Sequence, residues 1–340
     1  MIEVLRPGLL TTVQDLGRPG FRDQGVPAGG AADAVALRIA NLLVGNGQGA
    51  AGLEMTLAGA RLRFTRETLV ALAGATMAAE LDGAPVPPWR PVWVRPGETL
   101  DVGPARSGCR GYLACAGGIA VPPVLGSRGT YLPAAFGGVE GRALRAGDHL
   151  PLGEPSPRAG AIRRSIAREG RASGIAAWFV GPGARPPYRP DAELLLLPGT
   201  HAAALTPEAR GHLLGAELRV SPRSDRMGCR LEGPALTLAA PLELASEGVA
   251  PGTVQLPPDG APIVLGADGG TTGGYPRVGH VATADLPLLA QLRPGDRLRF
   301  RAGTVEEARL RLLALERGVA HLEHAIRLRV NGAWHGGTER

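Results

Sequence analysis

The chain has 340 residues, 37 of them basic and 31 acidic, giving a formal net charge of +6; this length suits two domains of ordinary size better than one small core. Every basic residue is Arg, which excludes chemistries that need a lysine: a P-loop, a Schiff base, or covalent biotin carried on this chain. The Arg are scattered, and no basic block with interleaved aromatics occurs, so the positive balance does not point to nucleic acid.

With 51 Gly, 31 Pro and 4% aromatics, the composition predicts many short strands joined by tight turns around a core of Val, Leu, Ile and Ala. In chain order, a strand is predicted over residues 2–5, stopped by Pro7-Gly8. An irregular Gly/Pro-rich loop follows over 15–30. A helix is predicted over 33–44, with Asp33 as its cap, Val35, Ile39, Leu42 and Leu43 on one face, and Gly45-Asn46-Gly47 as its stop. Strands are predicted at 62–64, 68–73, 78–81, 89–94 and 109–116, with Asp82-Gly83 marking a hairpin. Residues 153–190 lose periodicity and read as a Gly/Pro-rich linker. The expected division is therefore an N-terminal domain over 1–152, the linker, and a C-terminal domain over 191–340.

The second half opens with a strand near 193–197. A short helix follows, with Thr206 as cap and Pro207 at its first position. Further strands run to about residue 265, and Thr283 or Asp285 is placed to cap another short helix. Thr304 with Glu307 has the spacing of a capping box for a long C-terminal helix. Leu310, Leu313, Ala314, Val319 and Leu322 form the apolar stripe expected of that helix.

The three cysteines, Cys109, Cys115 and Cys229, match no zinc spacing and read as buried thiols. His321 and His324 lie one helical turn apart with no third ligand nearby, so no metal site is expected. The N-terminal residues lack signal-peptide architecture, and no apolar run approaches membrane-spanning length. A cytoplasmic location and no membrane partner are expected.

Four segments carry a family resemblance: residues 11–33 (TTVQDLGRPGFRDQGVPAGGAAD, then ANLLVGN at 40–46), 113–148, 221–236 (SPRSDRMGCRLEGPAL), and 246–276 (SEGVAPGTVQLPPDGAPIVLGADGGTTGGYP, then 284–300). In this order they resemble the C-type subunit of the bacterial 5-oxoprolinases. That family is also described as KipA-like or allophanate hydrolase subunit 2, and it is related to the biotin-dependent carboxyltransferase domain of urea carboxylase. The resemblance implies a mainly β chain of two cyclophilin-like β-barrel domains plus the C-terminal helix. It implies a complex that uses ATP to open 5-oxo-L-proline to L-glutamate. Its partners would be the A-type and the KipI-like, B-type subunits of 5-oxoprolinase, and its substrate a small amide or lactam. Two alternatives stay open: carboxyl transfer to urea with biotin on a partner chain, and a regulatory protein that binds the KipI-like partner.

The polar residues of these segments suit such chemistry. Asp15, Arg18, Asp225 and Arg226 are the candidate catalytic residues, an acid beside a guanidinium in each pair. Gln14, Ser224, Thr271, Thr272, Gly273, Gly274 and Tyr275 are the candidate substrate-binding residues; the last five can present N–H and hydroxyl donors to a carbonyl or anionic oxygen. Glu54, Glu232 and Glu247 are further candidate acids or bases. The chain departs from the family pattern at Gly269-Gly270, where relatives carry an Arg and a polar residue, and at Cys229 and Gly30, where a Tyr and a Ser are usual.

Overall fold

In the computed structural model, which describes residues 1–169 and 174–330, strands outnumber helices, and most of the strands are short. The chain divides into two compact units, each discontinuous in sequence: residues 1–16, 34–186 and 316–340 form the first, and residues 17–33 and 187–315 the second.

The first unit is built on β1 (Ile2–Arg6), β2 (Leu10–Gln14), β3 (Gly52–Thr56), β4 (Arg61–Phe64), β5 (Thr68–Leu81), β6 (Ala84–Pro85), β7 (Val92–Val94), β8 (Thr99–Cys115) and β9 (His149–Leu150). They form one nine-stranded sheet with the path β2-β3-β8-β4-β1-β9, and β5 pairs with β6, β7 and β8. Among the described residues no pairing closes this sheet, so the barrel expected of the first half takes the form of a half-barrel. The strands expected at 68–73 and 78–81 are one strand, β5. Gly74 sits at φ +79°, and the register against β8 shifts between Gly74 and Ala79. A bulge there bends the strand without ending it. Asp82 and Gly83 both have positive φ, and Leu81 pairs with Ala84 across them; this is the two-residue hairpin expected from Asp-Gly.

Alternation along the strands gives this sheet two different faces. Val13, Leu53, Leu72 and Leu113 enter the apolar core. On the other face Thr12 stands opposite Glu54, and Glu54 opposite Tyr112. Helix α1 (Ala34–Leu43) packs here: Leu37 Cδ1 lies 3.0 Å from where a Cβ on Gly52 would stand. Leu37, Ile39, Leu42 and Leu43 are 0–1% exposed, which contributes on the order of 1.5–3 kcal/mol each. The helix also buries Asn41. Its Nδ2 donates to Ala50 O at 2.7 Å and its Oδ1 accepts from Asn46 Nδ2 at 2.9 Å, so the buried amide is satisfied.

The stretch read as a linker, 153–190, belongs to the first unit up to residue 186 and contains helix α2 (Pro157–Arg168). Ser156 caps it, accepting from Ala159 N at 3.1 Å, and it buries Ala159, Ile162 and Ile166. This cap and the Ile162/Ile166 pair, one turn apart, form a helix signal that the Gly, Pro and Arg content of the stretch obscures.

The second unit contains β10 (Asp191–Pro198), α3 (Pro207–Gly215), β11 (Leu218–Val220), β12 (Gly228–Glu232), β13 (Glu247–Gly248), β14 (Thr253–Gln255), β15 (Ile263–Leu265), β16 (Thr272–Gly273), β17 (Arg277–Val281), α4 (Leu286–Ala290) and β18 (Arg297–Ala302). Here the expected barrel does close, in the order β10-β17-β14-β15-β12-β11-β18, with β13 and β16 forming a separate two-stranded ribbon. The β10–β18 pairing is parallel. Leu194, Leu196, Val254, Val264, Val278, Leu298 and Phe300 fill the core. Thr206 caps α3 as expected, accepting from Ala209 N at 3.1 Å. Asp285 precedes α4 but makes no side-chain cap; its Oδ2 accepts from Leu195 N at 2.7 Å.

The C-terminal helix α5 (Val305–Val330) begins in the second unit and ends in the first. Thr304 accepts from Glu307 N at 3.2 Å, while the Glu307 carboxylate pairs with Arg301 and Arg311 rather than turning back to the cap. The expected apolar stripe holds only in part: Val319 is buried and Leu322 half-buried, but its N-terminal members face outward. Leu310 and Leu313 are 57% and 41% exposed, and the buried residues are Val319, Ile326 and Val330.

Candidate functional site

The candidate residues fall into one cluster in each unit. In the first unit, Gln14 ends β2 and Asp15 follows it. The Asp15 carboxylate is held at both oxygens: Ser127 Oγ donates to Oδ1 at 2.6 Å and Arg128 N to Oδ2 at 2.6 Å. Gly129 N donates in turn to Ser127 Oγ at 2.9 Å. Gln14 is wholly buried. Its Nε2 donates to Thr130 O at 3.0 Å and to Thr12 Oγ1 at 3.2 Å, and its buried Oε1 has no hydrogen-bond partner. Gly129 is where these groups converge. A Cβ there would lie 2.9 Å from Gln14 Oε1, 3.1 Å from Asp15 Oδ1 and 3.2 Å from Ser127 Oγ. The result is a buried, acceptor-rich corner with its amide and carboxylate fixed in orientation.

The same sheet face carries a second acid. Tyr112 Oη donates to Glu54 Oε2 at 2.8 Å, and Arg110 Nε stands 3.8 Å from Glu54 Oε1. Glu54 is 2% exposed. The register puts Thr12, Glu54 and Tyr112 side by side on neighbouring strands, with Gln14 two residues along β2.

In the second unit, Asp225 and Arg226 bond in different directions. Asp225 Oδ1 accepts from Met227 N at 2.8 Å and Gly228 N at 3.1 Å, closing its own turn. Arg226 instead donates to Asp268, Nε to Oδ2 at 2.7 Å and Nη2 to Oδ1 at 2.9 Å, and Nη2 also donates to Gly30 O at 2.6 Å. Both partners are buried. Arg18 is 1% exposed and reaches the same place: a Cβ on Gly29 would lie 3.2 Å from Arg18 Nη1 and 3.6 Å from Asp268 Oδ1. Asp268 is therefore paired with the Arg226 guanidinium, and that of Arg18 lies across Gly29 from it.

Ser224 is tied into the fold: its Oγ accepts from Arg230 N at 3.0 Å and donates to Arg230 O at 3.3 Å. Thr271, Thr272, Gly273, Gly274 and Tyr275 follow one another along and beyond the β13–β16 ribbon, where Thr272 faces Gly248 and Gly273 faces Glu247. Thr272, Gly274 and Tyr275 are exposed. The ribbon is held by Arg277, which donates to Gly248 O at 3.2 Å and pairs with Glu247. The other candidate acid, Glu232, lies exposed at the end of β12.

His201 Nδ1 accepts from Arg277 N at 3.1 Å, and His280, whose burial lowers its pKa, contacts Thr253. Burial pushes the Cys115 thiol up to about 12, which makes it inert at neutral pH. Among the described residues no group of three His, Cys, Asp or Glu is arranged to hold a metal ion.

Sequence reasoning missed Ser127, Gly129 and Asp268. Each lies within a segment that carries the resemblance, but 42 residues separate Asp268 from Arg226 and 112 separate Ser127 from Asp15. Only the fold reveals these pairings.

A family model for the carboxyltransferase domain, subdomains A and B, matches residues 24–302. The chain is 40% identical over 309 residues to the C subunit of the Escherichia coli K12 5-oxoprolinase, covering 91% of this chain and 93% of that one. It is 37% identical to the protein of the same name from Haemophilus influenzae, with the same coverage. Among solved structures, the Kluyveromyces lactis urea carboxylase superposes with a TM-score of 0.83 at 31% identity, over 94% of this chain and 29% of that one. The K. lactis urea amidolyase gives the same TM-score and identity, and there the chain spans 20% of the larger protein. The chain belongs to the carboxyltransferase-domain family of subdomains A and B.

Proposed function

We propose that the chain is the C-type subunit of an ATP-dependent 5-oxoprolinase. The observation that carries this is coverage: the match takes in 93% of the E. coli 5-oxoprolinase C subunit but only 20% of the urea amidolyase. The geometry supports an amide-binding role. Opening a lactam requires the ring amide to be oriented, its oxygen activated and a water placed. Gln14 Oε1 offers a fixed acceptor to the lactam N–H. Asp15, oriented by Ser127 and Arg128, offers a base for the attacking water. Arg226 and Arg18 around Asp268 supply a second, positively charged cluster.

The residues present do not fit a nucleotide site of P-loop type. The chain has no Lys, and Thr272 and Gly273 lie in a β ribbon rather than at a helix N-terminus. The ATP used by such a complex is therefore not assigned to a site on this chain, and no step is routed through it here. For the same reason biotin, if used, arrives on another chain. Among the described residues no helix is long and apolar enough to cross a membrane, and a cytoplasmic complex is the proposed setting.

The test is co-expression with the genes for the A-type and B-type partners, followed by assays of ATP hydrolysis and glutamate release with 5-oxoproline. Turnover by the complex and none by the purified chain is expected. Turnover by the chain alone, or none by the complex, overturns the proposal. The similarity to urea carboxylase favours one second reading, carboxyl transfer to urea; the same complex given urea, bicarbonate and a biotin carboxylase partner discriminates it.

A further inference from the structure

We infer that Arg22 and Gln255 form the seat for the carboxylate of the small-molecule substrate, beside the β13–β16 ribbon of the second unit. The choice of substrate rests on the 5-oxoprolinase reading; the seat itself rests on two unanswered donors. Gln255, at the end of β14, is 7% exposed, and its buried Nε2 has no hydrogen-bond partner. Arg22, in the short 3-10 turn at Arg22–Gln24, donates through Nη2 to Val249 O, while its buried Nη1 has no partner. Leaving a buried donor without an acceptor is costly, so a ligand that brings an acceptor to these two would be stabilised by them.

Val249 and Gly273 relate the two groups. Arg22 binds the Val249 carbonyl, and the Val249 Cγ1 lies 3.5 Å from the point where a Cβ on Gly273 would stand. That same point is 2.3 Å from Gln255 Nε2. Any side chain at position 273 would therefore push the Gln255 amide aside. The backbone at Gly273 is not in the left-handed region, so it is the room left for Gln255, rather than backbone conformation, that calls for glycine here.

The two donors also define the ligand. A guanidinium that is always charged, together with a neutral amide N–H, matches a carboxylate better than a neutral carbonyl or a cation. Arg277 nearby is already committed to Glu247 and Gly248, which leaves Arg22 as the cation for a ligand. The lactam ring of 5-oxoproline is uncharged, so its carboxylate is the one group by which such a seat would hold the molecule.

The test is calorimetric titration of the full chain with 5-oxoproline and with 2-pyrrolidinone, the same lactam without the carboxylate. Wild type is expected to bind 5-oxoproline and to bind 2-pyrrolidinone at least about tenfold more weakly, the scale of one charge-assisted hydrogen bond. Arg22→Leu and Gln255→Leu should each weaken 5-oxoproline by about tenfold and leave 2-pyrrolidinone unchanged. Gly273→Ala, which alters neither donor, should reproduce the Gln255 effect by displacing its amide. Circular dichroism and melting establish that each variant is folded, and the two variants outside Arg22 keep the test open if Arg22→Leu does not fold. Affinities within twofold of wild type for all folded variants, equal losses for both ligands, or no binding of 5-oxoproline to wild type would overturn the inference. Failure of the functional reading is separate: it would appear as carboxylate-dependent binding by the chain with no turnover by the complex.

Discussion

Replacing Asp268 with Asn tests whether the second cluster is held together by charge. The side chains of Arg226 and Asp268 are only 6% and 2% exposed, and Arg18 approaches the same carboxylate across Gly29. Removing one partner of a buried ion pair leaves an uncompensated charge and costs about 3–5 kcal/mol. With two guanidiniums left, Asp268→Asn should sit at the upper end of that range, and Arg226→Met, which leaves Asp268 near Arg18, at the lower end. The assay is urea denaturation followed by fluorescence. For a slope of about 2–3 kcal/mol/M, a loss of 3 kcal/mol moves the midpoint down by roughly 1 M. The double variant should be less destabilised than the sum of the singles by about 1–3 kcal/mol, because it removes both charges of the pair. A midpoint shift below about 0.3 M for Asp268→Asn, or strict additivity in the double variant, would refute this account of the cluster.

Three further expectations follow from the geometry. Gly129→Ala places a methyl about 3 Å from Gln14 Oε1, Asp15 Oδ1 and Ser127 Oγ; it should cut turnover by the complex at least tenfold, whereas wild-type rates would separate this corner from the chemistry. Arg226→Ala should reduce activity more than Arg301→Ala, because Arg301 is tied to Glu193 and Glu307 on the surface; equal rates at matched folding would leave Arg226 a structural role alone. The hydrogen bonds of Arg142, at 2.8 and 2.9 Å, hold the Asp148 carboxyl below its usual pKa. The stabilisation is then full above the ordinary Asp range, near pH 4, and is lost as pH falls through the depressed value. Acid titration of the melting temperature should be shallower for Asp148→Asn than for wild type below pH 4, and parallel curves would contradict this.

Much of the local structure was legible because its causes are local. Asp82-Gly83, Thr206-Pro207 and Thr304 each act within one turn of chain, and each does what its chemistry implies. The failures occur where distant packing decides. Gly74 reads as a break, but pairing with β8 on both sides carries β5 through it as a bulge. In α5 the stripe was read correctly at Val319, but Leu310 and Leu313, which satisfy the same period, are left exposed, and the neighbours of the helix bury Ile326 and Val330 as well. The division of the chain was obscured for a related reason: residues 17–33 contribute Arg18, Arg22, Gly29 and Gly30 to a unit whose barrel begins at Asp191. At the candidate site, residue types were readable and partners were not. Asp15 and Arg226 stood out, but Ser127 and Asp268 are brought to them by strands and loops far along the chain.

That discontinuity also has a temporal consequence. The hydrogen bond from Arg226 to Gly30 spans 196 residues, and the one from Arg22 to Val249 spans 227. The parallel pairing of β10 with β18, the step that closes the barrel, cannot form until residue 302 has been synthesised. Residues 17–33 must therefore wait on the ribosome for partners made long after them, a high contact order that predicts slow completion of the second unit. A fragment that starts at Pro187 would hold every strand of the barrel and still lack the Gly30 carbonyl that Arg226 needs. It should fold with that guanidinium short of one acceptor, recover only when a peptide of residues 17–33 is supplied, and so behave as two pieces of one lock rather than as a free-standing domain.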